Sequence, residues 1–170
     1  MFLEPCCFNK QLTSLIESNS EAEHLFTFGD THLPMLMDFL VRHAPGCEVY
    51  LTLPQVNQEA IHTIAKLMDE SRDGNYLIRS MVLLSQGNQR KEIAEALGRY
   101  REEGRLIVCE DSVSFRCLCV GNGKLHFVLQ GSIPLSQGYA MQMMTLTKTQ
   151  THYEQVMRIL NYRKQAKQRI

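Results

Sequence analysis

The chain has 170 residues, a length typical of one domain with a substantial core. Its 44% hydrophobic and 21% charged content is that of an ordinary globular protein, and its short apolar runs, broken by charge, exclude a membrane span. Eighteen basic residues balance eighteen acidic ones, so no whole-molecule field indicates a nucleic-acid or membrane partner.

The cysteines indicate a reducing environment. None of the six belongs to a C-x-x-C pair, and four lie in strand-like apolar runs, where a free cysteine behaves as a small hydrophobic residue. The N-terminal sequence MFLEPCCFNK has no apolar core of the kind that a secretory signal needs. We therefore expect a reduced, cytoplasmic protein. The cysteines are Cys6, Cys7, Cys47, Cys109, Cys117 and Cys119.

Strand and helix patterns alternate through about residue 111, which predicts an α/β layered domain. An N-terminal segment, residues 1–21, contains a short helix near 11–16. Asn88 is a suitable N-cap for the third helix of the domain. Strands are predicted at 25–30, 48–54, 76–84 and 105–111, and helices at 32–44, around the apolar stripe 61–68, and around the stripe 93–100 as far as Gly104.

The C-terminal third predicts a hairpin at 113–131, a strand at 141–147 and a last helix. The pattern Thr151-His152-Tyr153-Glu154 is that of a capping box, and an apolar stripe follows it over 153–160. The domain is predicted to span residues 22–162 and to end with this helix. Residues 163–170 are predicted to be a basic tail that frays.

The Asn122-Gly123 dipeptide is the strongest signal in the hairpin, and a two-residue turn would pair Gly121 with Lys124. In that register Arg116 faces the same side as Ser114, and His126 faces the opposite side. Both faces are largely apolar, so we expect the sheet to be covered on both sides.

The stretch 113–134, VSFRCLCVGNGKLHFVLQGSIP, resembles the phosphodiester-cleaving motif of the phospholipase D superfamily, which includes small single-domain endonucleases. That motif is H-x-K-x4-D on a strand, a hairpin return, then G-S and often an Asn. FTFGDTHLPMLMDFL followed by EVYLTLP is similar to the first strand, helix and strand of the family. The resemblance implies an αβα sandwich with a mixed sheet, and a homodimer, because single-motif members pair two motifs by dimerising.

The reactive side chains of the motif are replaced. Ser114 stands at the histidine position, Arg116 at the lysine, Gly121 at the aspartate and Pro134 at the asparagine, whereas Gly131 and Ser132 match. Loss of a general acid or base costs a factor of about 10² to 10⁴ in rate. Ser114 would also need a neighbouring base to act as a nucleophile.

The resemblance therefore implies a catalytically degenerate domain that acts by binding or assembly on nucleic acid or another phosphodiester, with no cofactor. Two alternatives remain open. One is an active phosphodiesterase or nuclease with a non-standard site, and the other is a structural interaction protein without a ligand.

Arg116 is the charged residue on an otherwise apolar strand face. One interpretation is a retained anion site, because a guanidinium binds phosphate with two parallel hydrogen bonds. Ser114, Ser132 and backbone amides near Gly131 would complete it. The other interpretation is an internal ion pair between Arg116 and an acidic side chain.

Three further patterns have a functional and a structural interpretation. Cys117, Cys119 and His126 could bind zinc, although core packing is the commoner role for such residues and we predict no metal. The segment 91–98, KEIAEALG, resembles the first helix of a helix-turn-helix but leaves no room for a second, so we predict one helix. We expect Met141, Met143 and Met144 to pack in the core near a dimer seam.

A basic cluster at the C-terminus is a candidate contact for a nucleic-acid backbone, and a solvated helix end is the structural alternative. Its members are Arg158, Arg163, Lys164, Lys167 and Arg169.

Overall fold

The computed structural model describes residues 2–3, 7–29, 31–71, 77–86, 90–110, 112, 114–133 and 138–168. The strands are β1 (Phe2–Leu3), β2 (Ala22–Gly29), β3 (Cys47–Leu53), β4 (Ile78–Ser85), β5 (Leu106–Glu110), β6 (Arg116–Gly121), β7 (His126–Gly131) and β8 (Gly138–Thr147). The helices are α1 (Phe8–Glu17), α2 (Leu33–His43), α3 (Gln58–Glu70), α4 (Arg90–Glu102) and α5 (Gln150–Gln168).

These strands form one mixed sheet in the order β1-β2-β8-β7-β6-β3-β4-β5. β3, β4 and β5 are parallel neighbours, as are β1 and β2, whereas β6, β7 and β8 pair antiparallel. The α/β class and the mixed sheet are confirmed. Asn88 and Cys6 lie outside the described residues.

Two apolar layers cover the sheet, as its two-faced hydrophobic pattern predicts. Alternate side chains, such as Val49 and Leu118, pack with residues of α1, α2, α3 and α4 in the larger cluster. The intervening side chains, such as Tyr50 and Cys119, pack with Met157 and the rest of α5 in the smaller one. We call these the four-helix face and the α5 face.

The predicted register of the hairpin is wrong by two residues. Gly121 pairs with His126 instead of Lys124, so the loop has four residues, 122–125. The side chain of Asn122 explains the larger loop, because its Oδ1 accepts hydrogen bonds from the amides of Lys124 (3.1 Å) and Leu125 (2.9 Å). A shift of two residues keeps every side chain on its predicted face, since side chains alternate with a period of two.

The N-terminal segment belongs to the same core as the rest of the described chain. Phe8, Leu12 and Leu15 of α1 are buried in the larger cluster. Lys148, at the end of β8, donates from Nζ to the carbonyls of Leu15 (2.6 Å) and Ser18 (2.7 Å) and so satisfies the end of α1.

The last helix differs from its prediction at both ends. It begins at Gln150, and the Thr149 hydroxyl, instead of that of Thr151, accepts a hydrogen bond from the His152 amide. It continues to Gln168, so most of the predicted tail is helical. The prediction of one helix at 91–98 is confirmed, because α4 continues past Gly98.

The methionines of β8 divide between core and surface. Met144 is buried, as predicted, but Met141 and Met143 are 60% and 56% exposed, so the prediction of core packing is wrong for these two. Their side chains lie on the α5 face of β8. In the sheet, Met143 is paired with Phe26 of the neighbouring strand β2. In the described part of the chain, no helix combines the length and the apolarity that crossing a bilayer requires.

Candidate anion-binding edge of the sheet

The candidate residues lie where most of the strands end. β2, β3, β4, β5 and β7 run in one direction, so their carboxyl ends meet at one edge, where antiparallel β6 begins. Arg116 is paired there with Gly131, and Cys117 with Thr52 near the end of β3. α2 and α3 also start at this edge because each follows such a strand. We call it the carboxyl edge; ligand sites of open α/β sheets occur at such edges.

Arg116 is half-buried at the carboxyl edge, and its side chain points to the four-helix face, as do those of Leu118 and Val120. Its Nη1 donates a hydrogen bond to the carbonyl oxygen of Ile133, a fully buried residue. Of the two interpretations of Arg116, the internal ion pair finds no carboxylate partner among the described residues, where the contact is this carbonyl. A guanidinium has five N–H donors, so most of them remain for another acceptor.

Ser114 and Ser132 are both exposed at the same edge. The backbone amides beside them are already engaged, since Ser132 N donates to the Met143 carbonyl (3.0 Å) and Ile133 N to the Gly131 carbonyl (2.9 Å). Both amides are therefore already hydrogen-bonded within the chain, and the candidate anion site stays a prediction. Pro134 lies outside the described residues.

Gly131 has a structural reason to be glycine. Its φ is 129°, and a Cβ there would lie 2.8 Å from the Met143 carbonyl oxygen. The close approach of β8, rather than ligand binding, therefore accounts for the glycine of the G-S pair.

A histidine that the sequence analysis did not select lies at this edge. His32, immediately before α2, is 6% exposed, and its Nε2 lies 2.7 Å from Oε1 of Glu59 in the first turn of α3. The Nδ1 atom of His32 and the hydroxyl of Thr31 are buried, and neither has a hydrogen-bond partner within the part of the chain that the structure describes. No spacing motif links residues 32 and 59, so only tertiary structure brings the two together.

The cysteines and His126 lie on the other face. Cys117 and Cys119 are buried beneath α5 with their sulfurs 3.6 Å apart, and this contact, together with burial, raises the pKa of Cys119. The His126 ring contacts the ring of Tyr153 of α5 at a tilt of 55°, with ring centroids 5.0 Å apart. Among the described residues, no group of three or more His, Cys, Asp or Glu side chains could hold a metal ion.

Most of the basic C-terminal cluster belongs to α5. Arg158 is exposed and Lys164 is half-buried. Nothing is described of the side chains of Arg163 and Lys167, and Arg169 lies outside the described residues.

No family model and no curated protein sequence matches the chain. Among solved structures, the fold is similar to that of the archaeal chromatin protein TrmBL2, which shows a novel mode of DNA binding, with a TM-score of 0.57 and 15% identity over 90% of this chain. It is also similar to polyphosphate kinase from Porphyromonas gingivalis, with a TM-score of 0.55 and 12% identity over 88% of this chain. The matches span 56% of TrmBL2 and 28% of the kinase, so the likeness concerns the fold of one part of each.

Proposed function

We propose that this chain is a catalytically degenerate phospholipase D-like domain that binds nucleic acid through its carboxyl edge. The proposal rests on the surroundings of Arg116. Its half-buried guanidinium donates to one backbone carbonyl and has no carboxylate partner among the described residues. A buried charge needs polar partners, and a phosphate group supplies two acceptor oxygens in the geometry of the guanidinium fork.

Two further observations support a binding role. Ser114 precedes Arg116 by two residues and Ser132 follows its strand partner Gly131; both serines are exposed, and a hydroxyl can donate to a phosphate oxygen. A fold of this kind also occurs in a chromatin protein that binds DNA. The degenerate motif supports binding without turnover, because no base among the described residues hydrogen-bonds Ser114, and His126 lies on the other face.

Fluorescence anisotropy with labelled single- and double-stranded DNA, at about 50 and 200 mM salt, tests the proposal. We expect saturable binding that weakens with salt, and roughly tenfold weaker binding by Arg116→Ala, because a charge-assisted contact is lost. The slope of log affinity against log salt should also fall by about one in that variant.

Arg79→Ala is the matched control. Arg79 lies at the start of β4, at the opposite edge of the sheet, where it is exposed and bound to Glu48 (2.6 Å). Binding that is unchanged by Arg116→Ala, or equally weakened by Arg79→Ala, would contradict the proposal. A metal-free phosphodiesterase assay should show no turnover, and turnover abolished by Ser114→Ala would favour the active-enzyme alternative.

A further inference from the structure

His32 is a buried titratable side chain for which the packing of the fold gives no sufficient reason. Its imidazole is held from one side by Glu59 at 2.7 Å, while Nδ1 is buried and has no hydrogen-bond partner among the described residues. The same is true of the neighbouring Thr31 hydroxyl. Buried polar atoms are hydrogen-bonded in most proteins, so two such atoms at consecutive positions point to an acceptor or donor that the described part of the chain does not supply.

The position of His32 relates it to Arg116. α2 begins directly after His32 at the carboxyl edge and lies on the four-helix face, and Glu59 belongs to the first turn of α3 on the same face. Arg116 starts β6 at this edge with its side chain on that face, and α2 contacts β6. The amino-terminal end of α2 adds positive potential, and the His32 side chain makes no capping bond to it.

We propose that His32, held by Glu59, is the second side-chain contact for the phosphate group that Arg116 binds. This inference rests on the proposed function and assigns it a further residue. With Nε2 bound to the Glu59 carboxylate, an N–H at Nδ1 donates to a phosphate oxygen of the anion that the guanidinium also contacts. Glu59 orients the ring, in the way that carboxylates orient functional histidines in other sites. Glu59 is therefore a positioning residue.

The experiment combines NMR and binding on the full chain. The side-chain ¹⁵N resonances of His32 are followed while inorganic phosphate, and separately the dinucleoside phosphodiester TpT, is titrated into the wild type. The two probes distinguish a terminal phosphate from an internal diester. We expect a saturable shift of His32 Nδ1 that yields the same Kd as intrinsic fluorescence or calorimetry.

The variants His32→Gln, Glu59→Gln and Arg116→Lys are compared with His62→Gln, which removes an exposed histidine of α3. We expect His32→Gln to weaken binding about tenfold, through loss of one charge-assisted hydrogen bond. Glu59→Gln, at a side chain 42% exposed, should weaken binding severalfold and leave the fold intact. His62→Gln should bind like the wild type.

The possible outcomes distinguish a failure of this inference from a failure of the proposed function. If Arg116→Lys weakens binding while His32→Gln and Glu59→Gln do not, the inference is wrong and the proposed function stands. If the wild type binds neither phosphodiester nor DNA, both are wrong. If His32→Gln does not fold, an unchanged His32 Nδ1 resonance in the saturated wild type is enough to reject the inference.

Discussion

At the scale of single residues, the sheet shows two kinds of constraint. Arg116 and His32 are polar groups for which packing gives no sufficient reason, and they carry the functional proposals. Gly121 and Gly131, by contrast, are fixed by close approach. At Gly121, which the phospholipase D resemblance would align with an aspartate, the ring of Tyr153 fills the space that a side chain would need.

Gly121→Ala should destabilise the protein. A Cβ at Gly121 would lie 2.6 Å from Cζ and Oη of Tyr153, whose ring also contacts the ring of His126. Overpacking of this kind costs about 1–3 kcal/mol in the free energy of unfolding. Urea unfolding followed by circular dichroism measures it.

Two comparisons test the cause of this loss. Gly98→Ala, inside α4 with open space around it, should add about 0.5–1 kcal/mol to the free energy of unfolding. Tyr153→Leu should recover part of the loss in the Gly121→Ala background. A Gly121→Ala variant as stable as the wild type would show that Tyr153 moves aside freely.

At the scale of elements, α5 has two halves with different surroundings. Its first half is anchored by Met157 and Leu160 in the smaller core and by Asn161, which accepts a hydrogen bond from the Tyr50 hydroxyl at 2.9 Å. Its second half begins after the exposed residue Tyr162 and carries most of the basic cluster. The anchoring and the positive charge are therefore separable.

Truncation after Tyr162 should separate them in experiment. We expect the melting temperature to change by less than about 4 °C, because the anchoring contacts of α5 remain. If the basic cluster contacts a nucleic-acid backbone, DNA affinity and its salt dependence should both fall, since fewer counterions are released. Unchanged DNA binding after truncation would assign these charges to a solvated helix end.

At the scale of the whole molecule, burial against the sheet raises the pKa values of a cysteine thiol and of two tyrosine hydroxyls. Burial, with a smaller effect of Glu48, raises the pKa of Cys47 to about 12, and its thiol lies 3.2 Å from the carbonyl of Leu77. Burial also raises the pKa of Tyr50 and of Tyr153. These groups are neutral in the folded state over a pH range where the unfolded chain loses their protons.

The free energy of unfolding should therefore fall at alkaline pH. A raised folded-state pKa gives stability that is complete below the unfolded pKa, about 8.5 for cysteine and 10 for tyrosine, and is lost as pH rises toward the folded value. Each such group adds a slope of up to about 1.4 kcal/mol per pH unit within its window.

Urea unfolding between about pH 8 and 11 measures this loss. Tyr153→Phe is the control, because it keeps the ring and removes one titrating hydroxyl, so its slope above about pH 10 should be smaller than that of the wild type. A free energy of unfolding that does not change over this range would contradict the prediction.

The sequence by itself determined the α/β class, the alternation of strands and helices, and the face of each hairpin residue. These properties depend on local periodicity, and a period of two preserved the faces even when the predicted register was wrong by two residues. The sequence also identified Arg116 as a candidate, because a single charged residue in an apolar strand can be recognised without the structure.

Only the tertiary structure decided the composition of the candidate site. Arg116 proved to donate to the Ile133 carbonyl, the neighbouring amides proved to be hydrogen-bonded within the chain, and His32 proved to contact Glu59 between the starts of two helices. The physical reason is that burial, desolvation and the pairing of polar groups depend on contacts between residues far apart in the chain, which no local pattern encodes.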